Sequence, residues 1–570
     1  MCYYNSVVFL YIKLLANDIV QKGDILREYD VIVIGGGVTG AGIARDAAMR
    51  GFKTLILERK DFSSGATGAC MGMVAGPVGL PVEREFNEWN VQEAQVLKQI
   101  AAPLMHTIPF LTPVFSETEA VNQYKFLQLY YEIAKKYGER EPVFLSREHA
   151  LKLEPRLNKE IYGATYHEEY AIDVFRLVIE NLLSAKNYGA DVYNYHEVTK
   201  ILKKNGQVYG VVAKDLLTGN EKEFYGKIVV NATGPWAPKI ARLADVEVKM
   251  RPTKGVILIL ERRITNVGLQ MLGIDMTFKE LVPHENTTLI GPTSDDYFGD
   301  PDELTITRTE IELILESLSR LLPSLREHRI IRGMAGLRPL LYKWGKPAAK
   351  VPRDFKVFNH EEQDGVSGFI SVVGGNMTIY RLMAEKTVDL ITKLLDKDAK
   401  CRTHLEPLPV SEKPVNISEL SQKYNIPEII VRNMYTRQGS KIEKILSMIE
   451  ENESYKSIIC TCEPVITAEV IYSLEHEWVN TVDDLRRRTR IGVGPCQGSF
   501  CTHKVIALLA KRKGWGPLKA QQEMLAFLNE RWKGKYPILS KTQIPQEELT
   551  QAIYVGLGLR SINSTERDEI

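Results

Sequence analysis

The chain has 570 residues, too many for one compact core, so roughly two to four domains are expected. Its 73 basic and 72 acidic residues balance, which argues against a nucleic-acid-binding surface as its main purpose. No apolar run approaches the roughly 20 residues needed to span a bilayer. The segment Val7 to Leu15 is apolar but short, is interrupted by Lys13, and lacks the basic start and small-residue cleavage site of a leader. Residues 1–28 therefore read as an N-terminal extension.

Tyr29 to Ile34 is a β-branched apolar run, as expected of a strand buried on both faces. Gly35-Gly36-Gly37-Val38-Thr39-Gly40 follows at once and fits G-x-G-x-x-G. In that pattern Gly35 makes the tight turn, Gly37 lets backbone approach a pyrophosphate, and Gly40 lets the next helix pack on the strand. The spacing predicts a helix from Val38 to Arg50, its positive end aimed at the phosphate, and a second strand from Lys53 to Leu57. Glu58 then stands where a carboxylate accepts hydrogen bonds from ribose hydroxyls. The loop Arg59 to Gly68 is rich in small and hydroxyl residues, with Ser64 and Thr67 placed to serve a diphosphate.

Glu85 to Ile100 and Phe126 to Tyr137 read as amphipathic helices, and Ser146 as the N-cap of a third. Tyr193 to Tyr225 alternates around Asn205-Gly206 and Thr218-Gly219-Asn220, as a β-meander does. Lys227 to Asn231 is a buried strand running into Ala232-Thr233-Gly234, small residues that let a cofactor lie against backbone. Val246 to Asp296 is strand-like, and Thr307 to Leu322 a helix. Gly336-Leu337-Arg338-Pro339-Leu340 is read as the start of a loop. Phe369 to Gly374 is a strand leading through Gly375-Asn376-Met377-Thr378 into another helix. A helix start there is well placed to stabilise negative charge.

From about Tyr29 to about Leu559 the chain resembles the catalytic large subunits of anaerobic glycerol-3-phosphate dehydrogenase, flavoproteins of the D-amino-acid-oxidase class. The segments that carry the resemblance are Gly35 to Asp46, Gly65-Ala66-Thr67-Gly68, Asp173 to Leu177, His196-Glu197-Val198-Thr199, Gly336 to Pro339, Tyr380 to Glu385, and Phe527 to Gly534. The resemblance implies an α/β (α+β) fold, a two-dinucleotide-binding FAD domain with an antiparallel-sheet substrate domain. FAD would be held non-covalently by Gly35, Gly37, Gly40, Glu58, Ser64, Thr67, Val198, Ala232, Gly234, Gly375, Asn376, Met377 and Thr378. A small anionic secondary alcohol would give up a hydride to it, with Arg338 and Arg381 at the catalytic site. Two departures stand out. The family's His-Gly-x-x-His-Ser-Gly-x-Arg-Tyr loop is replaced by Ala69 to Gly79, without histidine, arginine or tyrosine, and its Gly-Gly-Lys turn is Gly374-Gly375-Asn376 here. A phosphate dianion prefers several cationic donors. The alternatives are a different hydroxy acid, a secondary amine or imino acid, or a non-catalytic electron-transfer protein.

Seven cysteines include Cys460-Thr461-Cys462 and Cys496 to Cys501, a C-x-C and C-x-x-x-x-C set able to hold tetrahedral zinc or a [2Fe–2S] cluster. With Val465 to Val470 and Asp484 to Arg490 between them, they resemble the bacterioferritin-associated-ferredoxin-like domain, which implies the cluster. A two-electron flavin also needs a one-electron outlet, which implies partner subunits and then quinone. Such chemistry implies a reducing, cytoplasmic setting, with membrane contact only through partners. Cys2, Cys70 and Cys401 read as plain small residues, and His167, His196 and His284 as structural histidines. Arg486, Arg487, Arg488 and Arg490 read as either a solvated helix face or a docking and cluster-tuning patch. The domain boundaries read from the sequence are 29–397 for the oxidoreductase, with substrate insertions at 85–150 and 245–330. A helical linker at 398–452, the cysteine domain at 453–510 and a helical tail at 511–570 follow.

Overall fold

The computed structural model describes residues 28–74, 84–343, 345, 351–540 and 543–556. The apolar segment Val7 to Leu15 and residues 75–79 of the loop from Ala69 to Gly79 lie outside them. An 8-stranded sheet is ordered Phe355–Asn359, Phe369–Gly374, Glu221–Asn231, Glu28–Ile34, Thr54–Leu57, Asp191–Tyr193, with the meander His196–Lys204 and Gln207–Asp215 off one strand. Its central strands pair in parallel, Val31 with Ile228 and Thr54, and Val230 with Ile370. Val31, Ile32 and Val33 are fully buried because both faces of this strand are covered. One face packs on the helices Val38–Met49, Val174–Asn187 and Tyr380–Leu394, the other on the meander and Ala237–Leu243.

The glycine turn follows the packing logic. Gly35 has φ +109°, and a Cβ there would lie 2.7 Å from the Ala232 carbonyl oxygen. A Cβ on Gly40 would lie 1.9 Å from the Gly35 carbonyl oxygen, so Gly40 serves helix–strand packing.

A 10-stranded sheet forms the second layer, and its strands run from Met73 to Arg338. It joins Met73–Val74, Met105–Val114, Val143–Ser146 and Gly163–Ile172 to the strands between Thr253 and Arg338. The boundaries expected for this layer are therefore corrected. The long strands Met105–Val114 and Gly163–Ile172, paired antiparallel over their whole length, belong to it although the sequence pattern does not mark them as strands. Pro109 and Pro113 interrupt the first, and four consecutive polar or aromatic residues from Tyr166 to Glu169 mask the alternation of the second. Likewise Gly336 to Arg338 ends the strand Ile330–Arg338 and does not begin a loop, since all nine residues pair with or flank Thr253–Leu260. The predicted helices are present as Arg84–Ile100, Glu117–Ala134 and, capped by the Ser146 hydroxyl, Arg147–Leu153.

The C-terminal third is helical, with one hairpin of Ile458–Cys460 and Val465–Ile466 among the described residues. The boundaries expected at 452 and 510 do not hold as limits of packing. Tyr424, Val431, Ile445 and Leu446 bury their apolar faces against Ile466, Ala468 and Tyr472. Met524, Phe527 and Tyr554 close over Cys460, Leu485 and Cys501. Short amphipathic helices cannot bury a face alone, so the linker and tail fold with the cysteine segment.

This unit is clamped to the parallel-sheet fold by buried charge. Asp61, in the loop after Thr54–Leu57, accepts hydrogen bonds from Arg488 at 2.6 and 2.9 Å and from Arg487 at 3.1 Å. Arg176 is bonded to Glu180 at 2.5 Å and to both Glu477 oxygens at 2.8 and 2.9 Å. Arg490 pairs with Glu463 at 3.0 Å and meets His284 at 3.1 Å. The arginine run is thus neither a solvated face nor a docking patch. Arg486 contacts Asp483, and the other three reach into the molecule.

Burial opposes ionisation of Asp61, yet Arg488 and Arg487 hold its carboxyl below the usual range. Removing one partner of such a buried set strands the other charges. Asp61→Ala is expected to cost about 3–5 kcal/mol of stability, measured by denaturant unfolding of the purified protein. A loss below about 1 kcal/mol would show that these arginines are solvated.

Candidate active site

A cavity of about 1690 Å³ lies between the two sheets. Of the residues expected to bind FAD, Gly35, Gly37, Glu58, Ser64, Thr67, Val198, Ala232, Gly234, Gly375, Asn376, Met377 and Thr378 line it. Gly40 does not, consistent with its packing role. Helix Val38–Met49 starts at Gly37 with no side-chain cap, and Thr67 Oγ1 accepts from Val38 N at 3.2 Å. Backbone donors there remain directed at the cavity, the arrangement that takes a pyrophosphate.

Glu58 is fixed by its own backbone surroundings. Its Oε2 accepts from Gly36 N at 2.7 Å and its Oε1 from Lys60 N at 2.9 Å. Burial pushes the carboxyl up, against these two amides, which lower it. The fixed carboxylate still has lone pairs for hydroxyl donors. Gly375, at φ +72°, brings backbone to the opposite wall, and a Cβ there would lie 2.4 Å from Met383 Sδ. Asn376, which stands where the resembling family has lysine, bridges two elements. Its Nδ2 donates to Asn90 Oδ1 at 2.8 Å and its Oδ1 accepts from Ile379 N at 3.2 Å.

Arg338 reaches the cavity from the last residue of its strand. One Nη donates to the Thr293 carbonyl at 3.2 Å, the other has no partner, and Gly255 leaves room for the guanidinium, a Cβ there falling 2.8 Å from Nη2. Burial and the like charge of Arg353 lower its pKa to about 9, which leaves it cationic at neutral pH.

Arg381 is corrected. It does not line the cavity, and its guanidinium is spent on Glu93 at 2.5 and 2.8 Å, Glu385 at 2.6 Å and Thr403 at 3.2 Å. Arg381 therefore pins helix Tyr380–Leu394 to helix Arg84–Ile100, a structural role. His167 is buried behind the wall, 3.1 Å from Thr112 Oγ1 and stacked on Phe110.

Sequence reading missed three groups that share the cavity with Arg338: Arg353, Glu280 and Glu169. Arg353 has neither a hydrogen bond nor an ion pair among the described residues, and burial lowers its pKa. Glu280, on strand Phe278–His284, is 3.4 Å from the Gln270 amide. Burial and the charge of Glu169 push its carboxyl up to about 7. The signal available was alternation, because Phe278, Glu280 and Val282 share one face of a strand.

The fold and this cavity define an enzyme that holds a dinucleotide between a parallel sheet and an antiparallel substrate sheet. The family description "FAD dependent oxidoreductase" matches residues 30–381, and the chain belongs to that family. "C-terminal domain of alpha-glycerophosphate oxidase" matches residues 401–520. The chain is 35% identical over 538 residues to a protein of Haemophilus influenzae named as one subunit of anaerobic glycerol-3-phosphate dehydrogenase, covering 94% of each. It is 34% identical to the Escherichia coli K12 protein of the same name, over 93% of this chain and 96% of that one. The structure of glycerol-3-phosphate dehydrogenase from Bacillus halodurans complexed with FAD matches with TM-score 0.71 at 26% identity, over 90% of this chain and 96% of that one. The cofactor is FAD, and the glycine cradle fits it.

Glu58→Ala is expected to weaken FAD binding by about 1–3 kcal/mol, since a charged acceptor is removed and the Gly36 and Lys60 amides lose their partner. Fluorescence titration of apoprotein with FAD measures this. An unchanged affinity would remove Glu58 from the ribose site.

Proposed function

We propose that the chain is the catalytic subunit of a dehydrogenase that oxidises a small anionic substrate and passes the electrons to partner subunits, and through them to quinone. The observation that carries this reading is Arg338, which lines the cavity that holds the FAD residues and has one Nη without a hydrogen-bond partner. FAD, when bound, supplies the hydride acceptor. Arg338 presents a planar fork to an anionic group and so orients the carbon that is oxidised. Apolar neighbours Phe110, Ile257 and Met71 exclude water from that end. Glycerol 3-phosphate, named in the relatives, is the first compound to test. A different hydroxy acid and a secondary amine are the other readings of the same site.

The electron outlet is the cysteine set. Cys460 stands beside Cys501, and Cys462 beside Cys496. No three of these thiols converge within 4.8 Å, as one tetrahedral ion would draw them. Two pairs of thiolates suit two irons, so the donor set fits a [2Fe–2S] cluster, which moves single electrons. The Haemophilus influenzae and Escherichia coli relatives are each named as one subunit of a larger enzyme, which supports partner subunits here. No helix among the described residues is long and apolar enough to cross a membrane. In this reading the chain lies on the cytoplasmic side and its partners make the membrane contact.

Arg338→Lys keeps the charge and loses the fork. KM should rise by roughly 10-fold or more with FAD content unchanged, in steady-state assays with an artificial acceptor. Normal turnover would make Arg338 structural. Cys496→Ser should lose iron and the paramagnetic signal of dithionite-reduced protein while substrate still bleaches the flavin. Stoichiometric zinc with electron transfer intact would overturn the cluster.

A further inference from the structure

Helix Pro517–Lys535 lies over the loop that bears Cys496 and Cys501, and it brings positive charge there. Phe527, Arg531 and Lys535 follow at four-residue spacing, so they share one face, and all three are buried. Phe527 seats that face on the loop. A Cβ on Gly498, between Cys496 and Cys501, would fall 2.9 Å from the Phe527 ring. Arg531 and Lys535 stand close enough for the charge of Cys496 to act on both. Arg332 joins them from strand Ile330–Arg338. Gly534 leaves room for it, because a Cβ there would lie 2.8 Å from Arg332 Cγ and 3.0 Å from its Nε. Arg329, just before that strand, is near enough to act on Lys535 as well.

Four basic side chains therefore crowd one place, and the carboxylates near them are mostly engaged elsewhere. Glu547 pairs with Arg531 at 3.3 Å and with Lys535. Asp483 is taken by Arg486 and Arg487, and Glu530 by Lys533. The Nε atoms of Arg329, Arg332 and Arg531 are buried and have no hydrogen-bond partner. Burial and the charge of Arg486 lower the Arg332 pKa to about 9, and burial with Arg531, Arg329 and Arg332 lowers that of Lys535 to about 7. Like charges buried together repel strongly unless an opposite charge faces them. Cys496, as a thiolate, is an opposite charge placed to do so.

We propose that Arg329, Arg332, Arg531 and Lys535 raise the reduction potential of a [2Fe–2S] cluster held by Cys460, Cys462, Cys496 and Cys501. This rests on the reading of those thiols as cluster ligands. An oxidised cluster with four thiolates is already an anion, and one added electron makes it more negative. Nearby cations stabilise the reduced form more than the oxidised one, so the potential rises. The electron comes from reduced FAD, and no bond is made or broken at the four basic residues. A higher potential favours that transfer. Arg338, at the far end of the strand that carries Arg332, lines the FAD cavity, so one strand sets a cation at each centre.

The test is an anaerobic potentiometric titration of the full chain carrying FAD and iron, with the reduced cluster read by electron paramagnetic resonance. Arg332→Gln and Arg531→Gln should each lower the reduced-to-oxidised ratio at a fixed potential by about 10-fold, a shift of about 59 mV for one electron. Arg332→Lys keeps the charge and should hold the ratio within about 2-fold of wild type, which a purely structural arginine would not require. Should one glutamine variant fail to fold, the other reads the same quantity at a separate element. A cluster signal whose potential stays at the wild-type value in both glutamine variants would overturn the assignment while the cluster reading stands. So would a potential in Arg332→Lys as low as in Arg332→Gln. If the wild-type chain binds no iron and gives no signal, the cluster reading falls and this inference falls with it.

Discussion

One buried carboxylate, Asp61, holds two halves of the molecule in register. It sits in the loop between the second strand and the hydroxyl residues of the FAD cradle, and it pairs with Arg487 and Arg488 from the C-terminal unit. Neither side of this contact is stable in its buried state without the other, because an unpaired ion in a protein interior costs several kcal/mol. Arg176 and Glu477 repeat the device a short way along, and Lys441 reaches the same carboxylates. The residues that cradle a cofactor and those that present four thiols are therefore fixed relative to each other by charge. The proposed two-electron reaction in the cavity and the proposed one-electron outlet at the thiols require such a fixed relation.

The cavity applies the same electrostatic rule with the pairing left open. Arg381 shows what a satisfied arginine looks like here, with every edge of its guanidinium bonded to Glu93, Glu385 and Thr403. Arg338 and Arg353 show the contrary, one with a free Nη and the other with no partner among the described residues. Glu280, its carboxyl raised by burial and by Glu169, lines the same cavity as these two arginines.

The dinucleotide cradle was readable because it is local: strand, glycine turn, helix, strand and Glu58 all fall within a run that the chain completes before any distant contact is needed. Arg338 was readable through a short segment, although its placement on a strand was not, since Gly336 and Pro339 look like loop residues. Arg381 was misread because its segment borders the cofactor turn. Helical spacing aims it at Glu385 four residues on, away from the cavity. Arg353, Glu280 and Glu169 were not read as one site for a different reason. They converge only when strands far apart in the chain pair into one sheet, and no window of sequence contains them together. The arginine run from Arg486 looked like a surface because its partner Asp61 lies more than 400 residues earlier.

Electrons leave a substrate in the cavity and arrive at the thiols of the same chain: that is the central claim. The direct measurement is rapid freezing of the isolated, FAD-loaded chain after anaerobic mixing with the substrate that bleaches it. Flavin absorbance and electron paramagnetic resonance are read on the same samples, with no partner protein present. Flavin bleaching followed by an iron signal from a reduced [2Fe–2S] centre is the predicted result. Full bleaching with the iron remaining oxidised, or with no iron present, would contradict it.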